Sequence, residues 1–159
     1  MSWACMRNKE GSVICYTDGA CSYNGQKGAQ AGIGVHFGRH HMWNIFGRLK
    51  SKYTQTSNTA EIRAAVEAIA LARFNGEFKL EIRSDSILLV RGMNEWIYSW
   101  MQNGWMTSKG YPVINREEFW AVMNEVKLMD SVIFVYVPRK ENKEADELAK
   151  QGASYWCDY

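Results

Sequence analysis

Closely spaced cysteines are missing from this chain: Cys5, Cys15, Cys21 and Cys157 form neither a CxxC pair nor a dense framework. The pattern excludes a disulfide-stapled scaffold and a thiolate zinc finger, and it points to reduced thiols in a reducing compartment. Cys15 lies in an apolar run and is expected in the core. Cys5 and Cys157 lie near the two ends, where an oxidative link stays open. The only prolines, Pro112 and Pro138, stand alone, and no stretch rich in Pro, Gly or Ser divides the sequence. Neither linker nor repeat is expected. Residues 1–159 read as a single domain with a core over about 12–153, extensions at 1–11 and 154–159, and an aromatic tail, Tyr155 to Tyr159, packing on that domain. Long apolar runs are absent too, as are a signal-peptide h-region and an Arg-rich presequence at the start. A soluble, intracellular, monomeric protein is expected, with nucleus, cytoplasm and mitochondrion left undistinguished. An excess of one charge is also lacking: 19 Lys and Arg against 17 Asp and Glu leave +2. That balance neither marks nor excludes a nucleic-acid binder.

Aromatic residues, by contrast, are plentiful. Seven Trp and eight Tyr exceed what one small core needs, so some of them are expected to line a surface groove. The 159 residues, 47% of them hydrophobic, suffice for one compact core.

Along the chain, Val13 to Thr17 reads as a strand stopping at the turn signal Asp18-Gly19. Strands over Ala31 to Phe37 and Met42 to Leu49, joined at Gly38 to His41, extend this into an antiparallel meander. Ile62, Ala65, Val66, Ile69 and Ala72 then recur at helical spacing, with Asn58 as the expected cap and Gly76 at the end. Leu80 and Ile82 alternate with Lys79, Glu81 and Arg83 in a half-buried strand ending at Asp85. Helices follow over Ser86 to Met101, with a break near Gly92, and over Glu117 to Val126. Val132 to Val137 is uniformly apolar and predicts a strand buried on both faces, and a last helix runs from about Asn142 to Gly152. The order βββαβααβα predicts an α/β fold, a mixed sheet with helices on both faces and its site at strand ends.

Four acids stand out. Asp18 and Asp85 fall at expected strand ends, Glu61 on the first long helix, and Asp146 at the edge of the apolar stripe Ala145, Leu148, Ala149 and Gly152, with Lys143, Glu147 and Lys150 turned away. Each has a structural alternative: a turn former at Asp18, a helix cap at Asp85, a capping box for Glu61 with Asn58, an ion pair for Asp146. Converging carboxylates without Cys or His suit hard divalent ions, and two such ions roughly 4 Å apart can stabilise the attacking and leaving oxygens of phosphodiester hydrolysis.

The segments Tyr16-Thr17-Asp18-Gly19-Ala20-Cys21-Ser22 with Asn24-Gly25, Thr59-Ala60-Glu61, Ser84-Asp85-Ser86 and Asn142 to Ala149 closely resemble, in order, the four catalytic motifs of type 1 ribonuclease H. Asn103-Gly104-Trp105 through Val113-Ile114-Asn115 with Phe119 resembles the eukaryotic members, and the likeness covers about residues 12–153. The resemblance implies a five-stranded ribonuclease H-like sheet and an endonuclease that cuts the RNA strand of RNA/DNA hybrids, leaving 5′-phosphate and 3′-hydroxyl ends. It implies two Mg²⁺ ions, for which Mn²⁺ can substitute. Asp18 would bridge them, Asp146 would help hold the ion serving the attacking water, and Glu61 with Asp85 would hold the ion at the leaving 3′-oxygen. Asn24, Ser57 and Asn58 would meet the minor groove, where the 2′-hydroxyl distinguishes RNA from DNA. Trp100 and Ser108 would follow the DNA strand, with a backbone phosphate near Thr54, Thr56 and Asn115. A non-catalytic interaction module keeping the fold, a related strand-transfer enzyme and the ribonuclease H domain of a reverse transcriptase stay open as alternatives.

The chain departs from the family pattern in three places. No loop bearing a His precedes the last motif: Val137-Pro138 passes through Arg139, Lys140 and Glu141 to Asn142, and the histidines are His36, His40 and His41. Slower turnover is expected, or a cation such as Arg139 or Lys140 in part of that role. Met101, Gln102 and Met106 occupy the segment that forms a basic protrusion in relatives, and Thr54 stands where some carry Arg. Fewer cations imply weaker binding with a shallower salt dependence.

Overall fold

A computed structural model describes residues 4–154. Cys157 and the aromatic tail lie outside the described residues. Strands β1 (Val13–Ser22), β2 (Gln30–His36) and β3 (Ile45–Arg48) form the antiparallel meander. Strand β4 (Lys79–Ser84) runs parallel to β1 and β5 (Ser131–Tyr136) parallel to β4, giving the order β3-β2-β1-β4-β5. Helix α1 (Ser57–Phe74) links β3 to β4. Helix α2 (Ile87–Arg91), one π turn (Gly92–Trp96), α3 (Ile97–Asn103) and α4 (Arg116–Val126) link β4 to β5, and α5 (Lys143–Ala153) closes the order.

Three glycines decide how the helices sit. A Cβ on Gly19 would fall on the backbone of Ala60 and Glu61 in α1, whereas a Cβ on Gly32 or Gly34 would fall on the backbone of α5. Residues paired across an antiparallel ladder share a face, so the register Asp18↔Gly34 and Ala20↔Gly32 puts α5 on the Asp18 side and α1 on the Gly19 side. Helices therefore cover both faces, as expected. The stripe Ile62, Ala65, Ile69 and Ala72 enters the main core with Val13, Cys15, Leu80 and Ile82. Gly92 begins the π turn, and position 92 must be glycine because Phe119 of α4 fills the space a Cβ would need.

Several expectations are corrected. Strand β1 does not stop at Asp18: it continues to Ser22 along β2, because Gly19 lets α1 press on it and the antiparallel ladder supplies partners that a turn would forfeit. The third strand starts at Ile45, three residues later than Met42. Thr56, not Asn58, caps α1: its side chain accepts from Thr59 N at 3.1 Å, and Asn58 is exposed in the first turn. Asp85 caps nothing, because Ser86 caps α2 by accepting from Leu89 N. Glu81 points into a buried pair with Arg83 (2.6 Å) and Asn8 (2.9 Å) rather than into solvent. Strand β5 lies at a sheet edge, so Ile133 and Tyr136 are exposed despite the apolar run.

Candidate metal centre

The site assembles where β1 outruns β4. The parallel pairing of β1 with β4 ends at Tyr16↔Arg83, and two residues on, Asp18 stands beside Asp85, which follows the last residue of β4. Helix α1, packed on Gly19, delivers Glu61. Helix α5 delivers Asp146, with Asn142 anchoring its start: this fully buried side chain donates to Thr17 O at 3.0 Å, one residue before Asp18. Asn142→Leu is expected to lower stability by about 2 kcal/mol, as it strands the Thr17 carbonyl without its donor. A melting temperature equal to wild type would refute that anchoring role.

Oxygens of Asp18, Glu61 and Asp85 lie within 4.8 Å of one another. Asp18 is 3% exposed. Its carboxyl is pushed up to about 9, first by burial and then by the charges of Asp85 and Glu61. Burial is also the main cause that lifts Glu61 to about 7, with Ser86 and Arg139 opposing it. The Asp146 and Asp18 carboxyls interact, which holds Asp18 up and Asp146 down. Burial works against the ionised form of Asp146, yet Lys150 at 2.9 Å and Arg139 at 3.8 Å hold its carboxyl below the ordinary range. Among the described residues the three acids thus converge without a salt-bridge partner, and the fourth carries two. A cation placed among the three would relieve their repulsion and their burial together.

The four acids line one cleft of about 720 Å³, together with Asn24, Ser57 and Asn58. Asn24 donates to Ser57 Oγ at 3.2 Å, tying the loop after β1 to the start of α1. Thr54, Thr56 and Asn115 line an adjoining pocket that shares Asn24, Ser57 and Asn58 with the first. There Asn115 donates to Thr59 Oγ1 at 2.9 Å and to Glu118 Oε1 at 3.3 Å. Trp100 and Ser108 are not brought to either cleft. Trp100 is half-buried among Trp96, Trp105 and Phe119, and Ser108 is exposed in the turn after Thr107. Lys150 corrects the sequence reading, which turned it away: it lines the acid cleft because a long side chain one helical turn from Asp146 folds back onto it. The i,i+4 spacing of opposite charges was the available signal.

The profile of the RNase H family matches residues 10–154. The chain belongs to the RNase H family. Over 146 residues it is 42% identical to Ribonuclease H1 of Mus musculus, covering 89% of this chain and 50% of that one. That identity places it with the type 1 RNase H proteins. It is 33% identical over 146 residues to Ribonuclease H of Actinobacillus pleuropneumoniae serotype 5b, covering 89% and 90%. The crystal structure of LC11-RNase H1 in complex with an RNA/DNA hybrid aligns with a TM-score of 0.65 at 25% identity, over 88% of this chain and 95% of that one. The chain spans about half the length of the mammalian Ribonuclease H1 proteins it matches. The five-stranded sheet is thus an RNase H fold, and its acidic triad can hold a metal ion. No described helix is long and apolar enough to cross a membrane.

Proposed function

We propose that the chain hydrolyses the RNA strand of RNA/DNA hybrids, as an intracellular monomer, with Asp18, Glu61, Asp85 and Asp146 holding two Mg²⁺ ions. The observation that carries this reading is the meeting of the Asp18, Glu61 and Asp85 oxygens within 4.8 Å, in a cleft without Cys-Cys or His ligand sets. An all-oxygen donor set suits a hard ion. When bound, such a pair of ions stabilises charge on both the attacking and the leaving oxygen. Asp18 takes part in two carboxylate groups at once, the triad with Glu61 and Asp85 and an interacting pair with Asp146. That double membership supports Asp18 as the residue shared between two ions. Asn24, Ser57 and Asn58 border the same cleft and can both donate to and accept from a 2′-hydroxyl.

The deciding assay incubates the protein with a labelled RNA/DNA hybrid, with and without Mg²⁺. Mg²⁺-dependent loss of full-length RNA is expected, with RNA duplex and single-stranded RNA left intact. An uncut hybrid in the presence of Mg²⁺ sinks the reading.

Arg139 lines the acid cleft together with Lys150, whereas Lys140 lines a different cleft with Tyr16, His36 and Arg83. Of the two candidates for the missing His, Arg139 is the one in reach of Asp146. Arg139→Ala is expected to lower kcat on the order of tenfold, and Lys140→Ala to leave it near wild type. Steady-state turnover at saturating hybrid checks this, and equal losses in both variants would overturn it.

A further inference from the structure

The third feature of this surface is a cleft of about 330 Å³ lined by Trp105, Arg116, Glu117 and Trp120, outside every site described above. Its walls are two indole rings, with centroids 5.8 Å apart and planes at 70°. Trp120 is 48% exposed, an unusual degree for so large an apolar ring, and Lys127 stands over its ring at 5.4 Å from the centroid. Arg116 is the other cation at this place, and Glu117 the only acid lining the cleft among the described residues.

We propose that this cleft is a stacking subsite for an unpaired nucleotide that flanks the hybrid, with Trp120 as the platform and Arg116 and Lys127 at its phosphates. The inference rests on the hybrid-cleaving reading and extends it. A flat π-face between cations accepts any base, the combination by which proteins hold single strands without reading sequence. An exposed indole flanked by two cations, beginning one residue after the Asn115 pocket, selects nucleic acid over another occupant. The acid cleft and the Thr54/Thr56/Asn115 pocket share Asn24, Ser57 and Asn58, and Asn115 is followed at once by Arg116. The segment before it, Met101 to Pro112, carries Lys109 as its only cation, so stacking on Trp120 supplies a hold that charge alone supplies weakly here.

Two measurements test the subsite. Fluorescence anisotropy with a dye-labelled oligo(dT) reads single-strand binding with no hybrid and no cleavage involved. Trp120→Ala is expected to weaken it about tenfold, the scale of one lost base stack, while Trp120→Phe keeps most of the affinity and shows that the fold is intact. Steady-state cleavage then compares a blunt hybrid with the same hybrid carrying a short single-stranded overhang. The wild type is expected to show a lower KM for the overhang substrate, and Trp120→Ala to lose that preference with kcat little moved. Equal oligo(dT) affinity in wild type and Trp120→Ala, or no overhang preference in the wild type, overturns the proposal. So does binding of an amphipathic peptide, but not oligo(dT), through Trp120. Failure of the underlying reading shows separately, as a blunt hybrid left uncut by the wild type.

Discussion

Asp18→Asn is expected to abolish hybrid cleavage and, without added metal, to make the protein more stable. The activity loss follows from the position of Asp18 in both carboxylate groups: removing one charge leaves neither potential ion position complete. A fall in kcat of about 10³-fold or more matches the loss of a preorganised electrostatic stabiliser. The gain in stability follows from linkage. The folded protein holds the Asp18 carboxyl at about 9 against an ordinary 3.8, so the fold prefers it protonated. Below about pH 4 the carboxyl is protonated whether the chain is folded or not, and no penalty arises. As pH rises from there toward 9, the unfolded chain ionises freely while the folded one resists, and stability is progressively lost. Asn has the shape of the protonated acid and no charge to expel, so it restores about 2 kcal/mol at neutral pH and raises the melting temperature by several degrees. Mg²⁺ reverses the order: it should raise the melting temperature of the wild type, release protons as it binds, and do little to the variant. Thermal melts at pH 5 and pH 8, with and without Mg²⁺, check each part. A variant less stable than wild type at pH 8 without metal would show that the buried acids do not repel as the geometry requires.

How much of this was legible in the sequence depends on the range of the interaction involved. Helix α1 was legible because its stripe, from Ile62 to Ala72, repeats within the segment itself, whereas the break expected near Gly92 is a π turn in continuous helical backbone, with the glycine answering to Phe119 of α4. The meander and the order of elements followed from periods of two and 3.6 residues. What failed needed knowledge of neighbours. The run in β5 is as apolar as a central strand, but among the described residues β5 is an edge strand, and Ile133 and Tyr136 face solvent. Asp18-Gly19 looks like a turn until α1 is placed on Gly19, at which point the glycine serves a helix contact and the strand runs on. Asn58 and Thr56 are both good caps by composition, and only the backbone decides that Thr56 precedes the first turn. The four acids were singled out from motif resemblance together with residue type. No local pattern shows that residues 18, 61, 85 and 146 share a cleft, because their meeting is made by the parallel pairing of β1 with β4 and by two helices on opposite faces.

That dependence on distant packing makes Gly34→Ala the second severe substitution, although it touches no acid. Gly34 sits opposite Asp18 in the β1/β2 ladder, and its missing Cβ is the space through which α5 approaches the sheet: the backbone of Ala145 and Ala149 would be met at once. Backbone on both sides cannot rotate away as a side-chain tip would, so the methyl group must push the helix outward. Overpacking of this kind costs about 3 kcal/mol, which lowers the melting temperature by roughly 6–12 °C in a chain of this length. Asp146 lies on the turn that begins at Ala145, so the same push withdraws it from Asp18. A displacement of about 1 Å at a reacting group can cost 100-fold in rate, so kcat should fall by that order even at temperatures where the variant is fully folded. Gly76→Ala is the matched control. It too places a methyl on a constrained glycine, with φ at +80°, but it meets nothing within 4 Å and lies at the far end of α1. It should cost about 1 kcal/mol of stability through backbone strain and leave kcat unchanged. If Gly34→Ala lost stability yet cut hybrid at the wild-type rate, the proposed catalytic role of Asp146 would not depend on the seating of α5.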